Sequence, residues 1–432
     1  MIFVILLLLL ILICILAIYF RTQRKKSVAF FHPNCLDCAG GERVLWGIID
    51  ALKNEDLDLV IYSENCNHDQ ASEKIHSRFN LEIPEKLRFV NVGNAYFLKK
   101  FPRFTLLLQA ISSIVYAFQC LCKEVPSVLI DTTGAPFASF VWKLFGGCKV
   151  IYYIHYPFIS TDMLTSVKEN KSSFNNDEQI SKSNVLTNIK VIYYKALFTI
   201  YRLTGKFMDI IMVNSSWTSK HIETLYRRKP IILYPPCDCS DFNKFALDCH
   251  EKGIILSIGQ FRPEKKYELQ LEIIEKLVKE NVDVKLIIAG GCRNQADNEL
   301  FDELQKRIKK NDLPVELKKN VSYDELKKLL SVADIGLHTM YNEHFGICVV
   351  EYMASGLIPV ANKSAGPLMD IVKDENYLAL TCDEYVQKIK HALKDDNEKR
   401  KFFRDQSQKF SLENFEENFM KINIQTIIEA LH

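Results

Sequence analysis

The chain opens on a stretch without polar positions and then alternates two hydrophobic rhythms. Residues 1–20 carry only apolar side chains and one tyrosine, and as a helix they span about 30 Å, the hydrocarbon thickness of a bilayer. A cleaved signal peptide has a shorter apolar region and a small-residue cleavage site. Here Ile18-Tyr19-Phe20 runs directly into Arg21, Arg24, Lys25 and Lys26. The segment therefore reads as a retained anchor, with a cleaved signal as the alternative. Positive charge on its carboxyl side predicts that everything after it faces the cytosol. The sequons at Asn170, Asn214, Asn320 and Asn362 are then predicted to stay bare, and a fragment starting near residue 27 to fold by itself.

Beyond the anchor, short β-rich runs alternate with longer helical patterns. "VAFFHP", "LDLVIYS", "LRFVNV", "SVLIDTT", "CKVIYYIHYP" and "DIIMVN" read as strands, and "GERVLWGIIDALKN" and "SSWTSKHIETLYRR" as helices between them. After the turn-rich "YPPCDCSDF" the rhythm restarts with "GIILSIGQ", "VKLIIAGG", "DIGLHTM" and "LIPVANKS", separated by helices such as "YELQLEIIEKLVKE" and "YDELKKLLSVA". The prediction is an α/β chain of two doubly wound, Rossmann-like domains facing a cleft. The expected order is a transmembrane anchor 1–20, a first domain 27–235, a second domain 243–405 and a final helix 406–432. In such folds ligands bind outside the carboxyl ends of the strands. The polar run 165–184 has too little apolar content to pack and reads as a mobile loop.

Composition changes this picture little. A chain of 432 residues with 48% hydrophobic and 25% charged residues fits two globular domains. A net charge of +2 provides no footprint for nucleic acid. The 13 cysteines are odd in number and scattered, as expected of reduced thiols. Cys35-x-x-Cys38 has zinc spacing but no second pair nearby, so no metal site is expected there.

The candidate chemistry lies in "YNEHFGICVVEYMASG", residues 341–356. Glu343 sits on the loop after a strand, and Gly346 opens a helix whose otherwise apolar first turns carry Glu351. A helix start offers N–H groups suited to phosphate. Glu351 can accept hydrogen bonds from a ribose diol, and Glu343 from hydroxyls of a second sugar. The alternative makes Glu351 a solvated edge residue and Glu343 a neighbour of the helix cap. Upstream, Arg262 and Lys265 stand three residues apart at the start of another helix, placed to neutralise a diphosphate or simply to form a solvated basic turn.

These residues carry a family resemblance. Glu343-x7-Glu351 with "GQFRPEKK" resembles the retaining glycosyltransferases of family 4, which have the GT-B fold. "FFHPNCLDCAGGERVLW", "YYIHYP", "LYPPCD", "SIGQFRPEK", "AGGCRN", "GLHTMYNEHFGICVVEYMASG" and "GPLMDIV" are similar to the GDP-mannose-dependent α-1,2-mannosyltransferases that add the fourth and fifth mannoses to dolichol-pyrophosphate-linked oligosaccharide. The resemblance runs from about residue 27 to at least 372 and includes an N-terminal membrane helix.

The resemblance implies roles. Gly40 and Gly41 would bring backbone amides to the donor diphosphate or the acceptor, and His155 resembles a histidine facing the transferred sugar. Phe345, Gly346, Ile347 and Glu351 would contact the donor beside Arg262 and Lys265. Catalysis would rest on His155, Glu343, Arg262 and Lys265. The partners implied are GDP-mannose, the lipid-linked acceptor, a membrane and other mannosyltransferases of the pathway, at the cytosolic face of the endoplasmic reticulum. No cofactor or metal is expected. The one D-x-D, Asp56-Leu57-Asp58, stands at the start of a strand rather than at its end.

Four departures stand out. Cys38, Ala39 and Ala365 occupy positions where relatives usually carry glycine, and Gln260 one where many carry arginine. Residues 101–122 and 190–207 read either as membrane-surface helices or as core helices. A family 4 transferase with another donor or acceptor, a non-catalytic scaffold for other transferases and a peripheral lipid-binding protein, which GDP binding would count against, remain the alternatives. Product linkage and the intact Glu343, Glu351, Arg262 and Lys265 discriminate them.

Overall fold

A computed structural model of the chain describes residues 2–37, 40–99, 101, 104–158 and 184–432. Cys38, Ala39, Asn170 and residues 165–183 of the polar run lie outside the described residues. The chain divides into two units. One comprises Met1–Asn214, Thr218–Leu233 and Glu416–His432, the other Ser215–Trp217 and Tyr234–Phe415.

The first unit is built on a parallel sheet of β1 (Arg24–Phe31), β2 (Asp58–Ser63), β3 (Arg88–Asn91), β4 (Val125–Asp131), β5 (Lys149–Ile154), β6 (Ile210–Val213) and β7 (Ile231–Ile232), in the order β3-β2-β1-β4-β5-β6-β7. Its central strands are continuous apolar runs because both faces of the sheet are covered. Val28–Phe31 of β1 are fully buried, and Val28 pairs with Leu59 on one side and Val128 on the other.

The second unit repeats the plan with β8 (Ile254–Ile258), β9 (Lys285–Gly290), β10 (Val315–Lys319), β11 (Ile335–Leu337), β12 (Ile358–Asn362) and β13 (Leu378–Ala379), ordered β10-β9-β8-β11-β12-β13. In each sheet the strand order reverses beside its first strand, so the binding edge lies at the carboxyl ends of β1 and β4 in one unit and of β8 and β11 in the other.

Two doubly wound sheets match the pattern reading, which nevertheless misses β7, β10 and β13. Two of these hold only two residues, and the edge strand β10 is Val-Glu-Leu-Lys-Lys with no fully buried side chain. Neither feature leaves an apolar run to detect.

The anchor is the helix Ile2–Thr22, and by length and composition Phe3–Thr22 suffices to cross a membrane. Phe3–Leu8, Leu10–Leu16, Ile18 and Tyr19 are exposed, whereas Phe20 is buried and meets the Phe118 ring. Three of the four cations at the anchor's end are engaged with protein. Arg21 donates from Nη2 to the Leu144 carbonyl (2.8 Å), Arg24 from Nη1 to the Gly147 carbonyl (2.9 Å), and Lys25 Nζ to Glu124 (2.9 Å). The Arg88 guanidinium also reaches Glu124 (2.8 Å). Burial alone would raise the Glu124 carboxyl, but Arg88 and Lys25 outweigh it and hold it below the usual range.

The anchor thus ends in a clamp on the first unit, with β1 beginning two residues after the helix. A fragment starting near residue 27 lacks Phe20, three residues of β1 and Lys25, while Glu124 keeps its bonds from Ser27 and Arg88.

In the D-x-D, Asp58 takes a two-pronged hydrogen bond from Arg88 (2.8 and 2.6 Å). Residues 101–122 and 190–207 fall largely in two helices. The helix Thr105–Lys123 buries Leu106, Ala110, Tyr116, Ala117 and Cys120 while exposing Leu108, Ile111 and Val115. The helix Asn184–Thr204 buries Tyr194, Leu197 and Tyr201 while exposing Ile192, Ile200 and Leu203. Each has a core face and an exposed apolar face.

Candidate functional site

In the second unit the chain leaves β11 through His338 and turns over residues 340–346 into the helix Ile347–Ser355. Gly346 sits at φ +100, a left-handed conformation that disfavours a side chain, and no side chain caps the helix it begins. The turn is braced by the loop after β12. Gly366 N donates to the Glu343 carbonyl (3.0 Å) and Asn342 N to Ser364 Oγ (2.8 Å). A methyl group on Gly366 would lie 2.3 Å from the Phe345 carbonyl oxygen, so only glycine fits there. Beside it, Ala365 holds φ +46.

This bracing aims the Glu343 side chain at Lys265, whose Nζ donates to Oε2 at 2.6 Å. The two side chains are 16% and 22% exposed. Burial pulls the Lys265 pKa down, but the Glu343 charge raises it further, and the net direction is upward. For Glu343 burial pushes upward, while His338 and Lys265 outweigh it and hold the carboxyl far below the usual range. The pair is a fixed carboxylate and ammonium. The partner of Glu343 is thus Lys265, the residue read separately as a diphosphate contact.

His338 completes the cluster. Its ring is buried, with Nε2 3.5 Å from Glu343 Oε2, the outer limit of a hydrogen bond. Neither ring nitrogen has a closer hydrogen-bond partner among the described residues. Burial pulls its pKa below the ordinary value of 6.5, leaving the ring neutral at pH 7.

The other predicted residues divide. Glu351 is buried at 7% exposure, which excludes the solvated-edge reading. Arg262 precedes the short turn Pro263–Lys265, with its side chain 40% exposed and 3.9 Å from Glu264. The two cations are therefore unlike, one locked in an ion pair and one open to solvent. Phe345 packs its ring on Tyr234 and Phe410 (5.9 and 5.4 Å between centroids). Its side chain belongs to the core, and any donor contact there falls to the backbone around Gly346 and Ile347.

In the first unit the predicted residues gather at the carboxyl ends of β1, β4 and β5. His155 follows β5, with Nε2 3.1 Å from the Thr132 carbonyl oxygen. Its own carbonyl accepts from Asn214 Nδ2 (2.9 Å). A methyl placed on Gly41 would stand 3.6 Å from His155 Nε2, so the glycine turn lies against the ring, whereas nothing lies within 4 Å of such a methyl on Gly40. The sequence reading omits His338, His32 and Ser364. The available signal was polar residues directly after predicted strands, in "FFHP", "GLHTM" and "ANKS".

Comparison with known proteins bears on what these sites do. The chain matches the model described as ALG11 mannosyltransferase N-terminus over residues 25–226 and that for glycosyl transferases group 1 over residues 240–410. It is 40% identical over 423 residues to the GDP-Man:Man(3)GlcNAc(2)-PP-Dol alpha-1,2-mannosyltransferase of Xenopus laevis, covering 92% of this chain and 87% of that protein. With the protein of the same name from Homo sapiens it shares 39% identity over 429 residues, covering 94% and 87%. Among solved structures, sucrose-phosphate synthase from Thermosynechococcus elongatus superposes with a TM-score of 0.67 at 15% identity, covering 94% of this chain and 100% of that one. Anabaena HepE, solved with UDP, superposes with a TM-score of 0.62 at 14% identity, covering 92% and 99%. At such identities these two structures establish the shared two-domain fold.

Proposed function

We propose, from the premise that this chain belongs to the family of GDP-mannose-dependent α-1,2-mannosyltransferases acting on dolichol-linked oligosaccharide, that it transfers mannose from GDP-mannose to that lipid-linked acceptor in α-1,2 linkage. Donor and acceptor are taken from the names of its relatives. The observation that carries the chemistry is the Lys265–Glu343 pair on the turn before the uncapped helix Ile347–Ser355. A half-buried ammonium and the N–H groups of a helix start suit a diphosphate whose charge grows as it leaves.

Transfer with retention then proceeds as GDP departs from the face that the acceptor enters. A phosphate oxygen of GDP takes the proton of the acceptor hydroxyl, while Lys265 and Arg262 stabilise the developing charge. Glu343 keeps Lys265 charged and accepts hydrogen bonds from sugar hydroxyls. Glu351 holds the ribose diol, and His155 meets the transferred mannose. No divalent metal is needed, and turnover in excess chelator checks that reading.

The setting is the endoplasmic reticulum membrane with both units in the cytosol. The cytosolic side rests on the positive charge after the anchor, and the anchor clamp supports a seat at the membrane surface, because Arg21 and Arg24 hold the first unit directly against the apolar helix. The exposed residues Leu108, Ile111, Val115, Ile192, Ile200 and Leu203 extend an apolar surface suited to lipid. Glycosylation tests the orientation only at accessible sequons. Asn214 and Asn362 are buried and would stay bare in either compartment, whereas Asn320 is exposed.

The deciding experiment incubates the full-length protein in liposomes with a panel of nucleotide sugars and a lipid-linked acceptor, and determines the product linkage. An α-1,2-mannosyl product from GDP-mannose alone is expected. Another sugar, another linkage, or a glycan on Asn320 overturns the reading.

A further inference from the structure

A buried chain of polar groups in the first unit leads to the His155 ring. Glu42, in the first turn of the helix Gly40–Leu52, places Oε1 3.0 Å from His32 Nε2. His32, directly after β1, places Nδ1 2.8 Å from Thr132 Oγ1. Thr132, directly after β4, presents its carbonyl oxygen 3.1 Å from His155 Nε2. Glu42, His32 and Thr132 are all more than nine-tenths buried, and none has a role in the transfer chemistry described above.

The donors follow from the acceptors. An ionised carboxylate only accepts, so His32 Nε2 carries a hydrogen. In the neutral ring Nδ1 then accepts, from the Thr132 hydroxyl. A carbonyl also only accepts, so His155 Nε2 carries a hydrogen whatever its charge, and the neutral His155 ring can accept only at Nδ1. Burial makes each bond costly to leave unmade, which fixes the order of donors along the chain.

We propose that Glu42, His32 and Thr132 are positioning residues that hold His155 as its Nε2–H tautomer, so that the ring meets the transferred sugar as a hydrogen-bond acceptor at Nδ1. Glu42 orients His32, His32 holds the Thr132 hydroxyl, and the Thr132 peptide is thereby fixed for His155. The same carboxylate sits one residue beyond Gly41, so the glycine turn and the ring it lies against are set by one network. The sugar contact rests on the reading of His155 given above, whereas the tautomer does not.

Histidine-selective 15N NMR on the full-length protein in detergent micelles, with His155→Asn to assign the signal, is expected to show His155 as neutral Nε2–H. Thr132→Val removes the hydroxyl and keeps the carbonyl. It should lower kcat about tenfold to a hundredfold, with the KM for GDP-mannose changed less than about threefold, because small misplacements of reacting groups cost that much. Thr132→Ser should restore kcat to within about twofold, which a loss of packing alone would not explain. An Nδ1–H signal for His155, or a Thr132→Val enzyme with wild-type kcat, overturns the proposal. If Thr132→Val fails to fold, the NMR signal of the wild-type protein decides it. Full activity in His155→Ala would remove the sugar contact while leaving the tautomer result standing.

Discussion

The two sheets have the same strand order, yet the edges where each reverses are furnished differently. After β11 the second unit places a half-buried ammonium on a carboxylate, Lys265 on Glu343, with a neutral histidine at the limit of hydrogen bonding. After β1, β4 and β5 the first unit places a chain in which a carboxylate is held by a histidine and ends on a backbone carbonyl. One arrangement supplies charge, the other orientation. Charge stabilises only where charge develops, so the ion pair suits a leaving diphosphate. A hydrogen-bond relay with its charge far from the last ring suits a group that must be aimed.

The comparison breaks most visibly if the ion pair is removed. Lys265→Ala should lower kcat by about 100-fold to 1,000-fold, the usual loss for one preorganised contact to developing charge, and leave acceptor KM nearly unchanged. Arg262→Ala should cost less, since its side chain is 40% exposed and its field is screened by water. A Lys265→Ala enzyme that turns over normally but melts earlier would make the pair a structural bridge and dissolve the contrast.

Next in size is donor binding within the second unit. Glu351→Ala should weaken GDP-mannose binding by about 1.5–3 kcal/mol, the range for one charge-assisted hydrogen bond, read by calorimetric titration with GDP and GDP-mannose. Unchanged affinity for both would take the ribose contact away from Glu351.

The second unit was the more legible of the two, for a physical reason. Its candidate residues include Glu343 and Glu351, carboxylates on a turn and in an apolar helix, where burial makes a carboxylate conspicuous. That Glu343 and Lys265 meet is not visible along the chain, because 78 residues separate them and the contact arises from the parallel pairing of β8 with β11. The first unit hides its network better. His32, Thr132 and Glu42 are ordinary residues for the ends of a strand or the first turn of a helix. Nothing periodic marks them, and only the sheet order β1-β4-β5 brings them together. The clamp on the anchor goes unseen along the chain for a related reason, since Arg21, Arg24 and Lys25 look alike whether they face lipid headgroups or carbonyls and a carboxylate of the same chain.

Proton linkage separates the two histidine environments further. The His338 pKa lies below 6.5 in the folded chain, so below pH 6.5 the unfolded chain takes up a proton that the folded one refuses. Stability therefore falls as pH falls, with a slope of at most about 1.4 kcal/mol per pH unit from this group. The lowered Glu343 pKa acts in the same direction, but only below the ordinary carboxylate value of 4.5. Urea denaturation at pH 7 and pH 5 should show wild type losing more stability than His338→Asn across that interval. Equal losses would mean that His338 charges as easily in the folded protein as in the unfolded chain.

The smallest effect sharpens the comparison at the level of backbone. Near the first unit's site the left-handed position after β4 is filled by a glycine, Gly134 at φ +82, whereas the second unit's bracing loop puts Ala365 at φ +46. A residue with Cβ pays about 1–2 kcal/mol there, and glycine gives back about 0.5–1 kcal/mol through the entropy of the unfolded chain. Ala365→Gly should therefore stabilise the second unit by no more than about 1 kcal/mol, raising its melting temperature by about 1–3 °C. The strained loop is the one whose Ser364 and Gly366 brace the turn carrying Glu343, so relief of strain should leave the Lys265–Glu343 contact in place and kcat within about twofold. A melting temperature that falls instead would show that the neighbours of the Ala365 methyl contribute more than its backbone strain costs. A large drop in kcat with a raised melting temperature would show that the stiffness of this loop is part of how Glu343 is held.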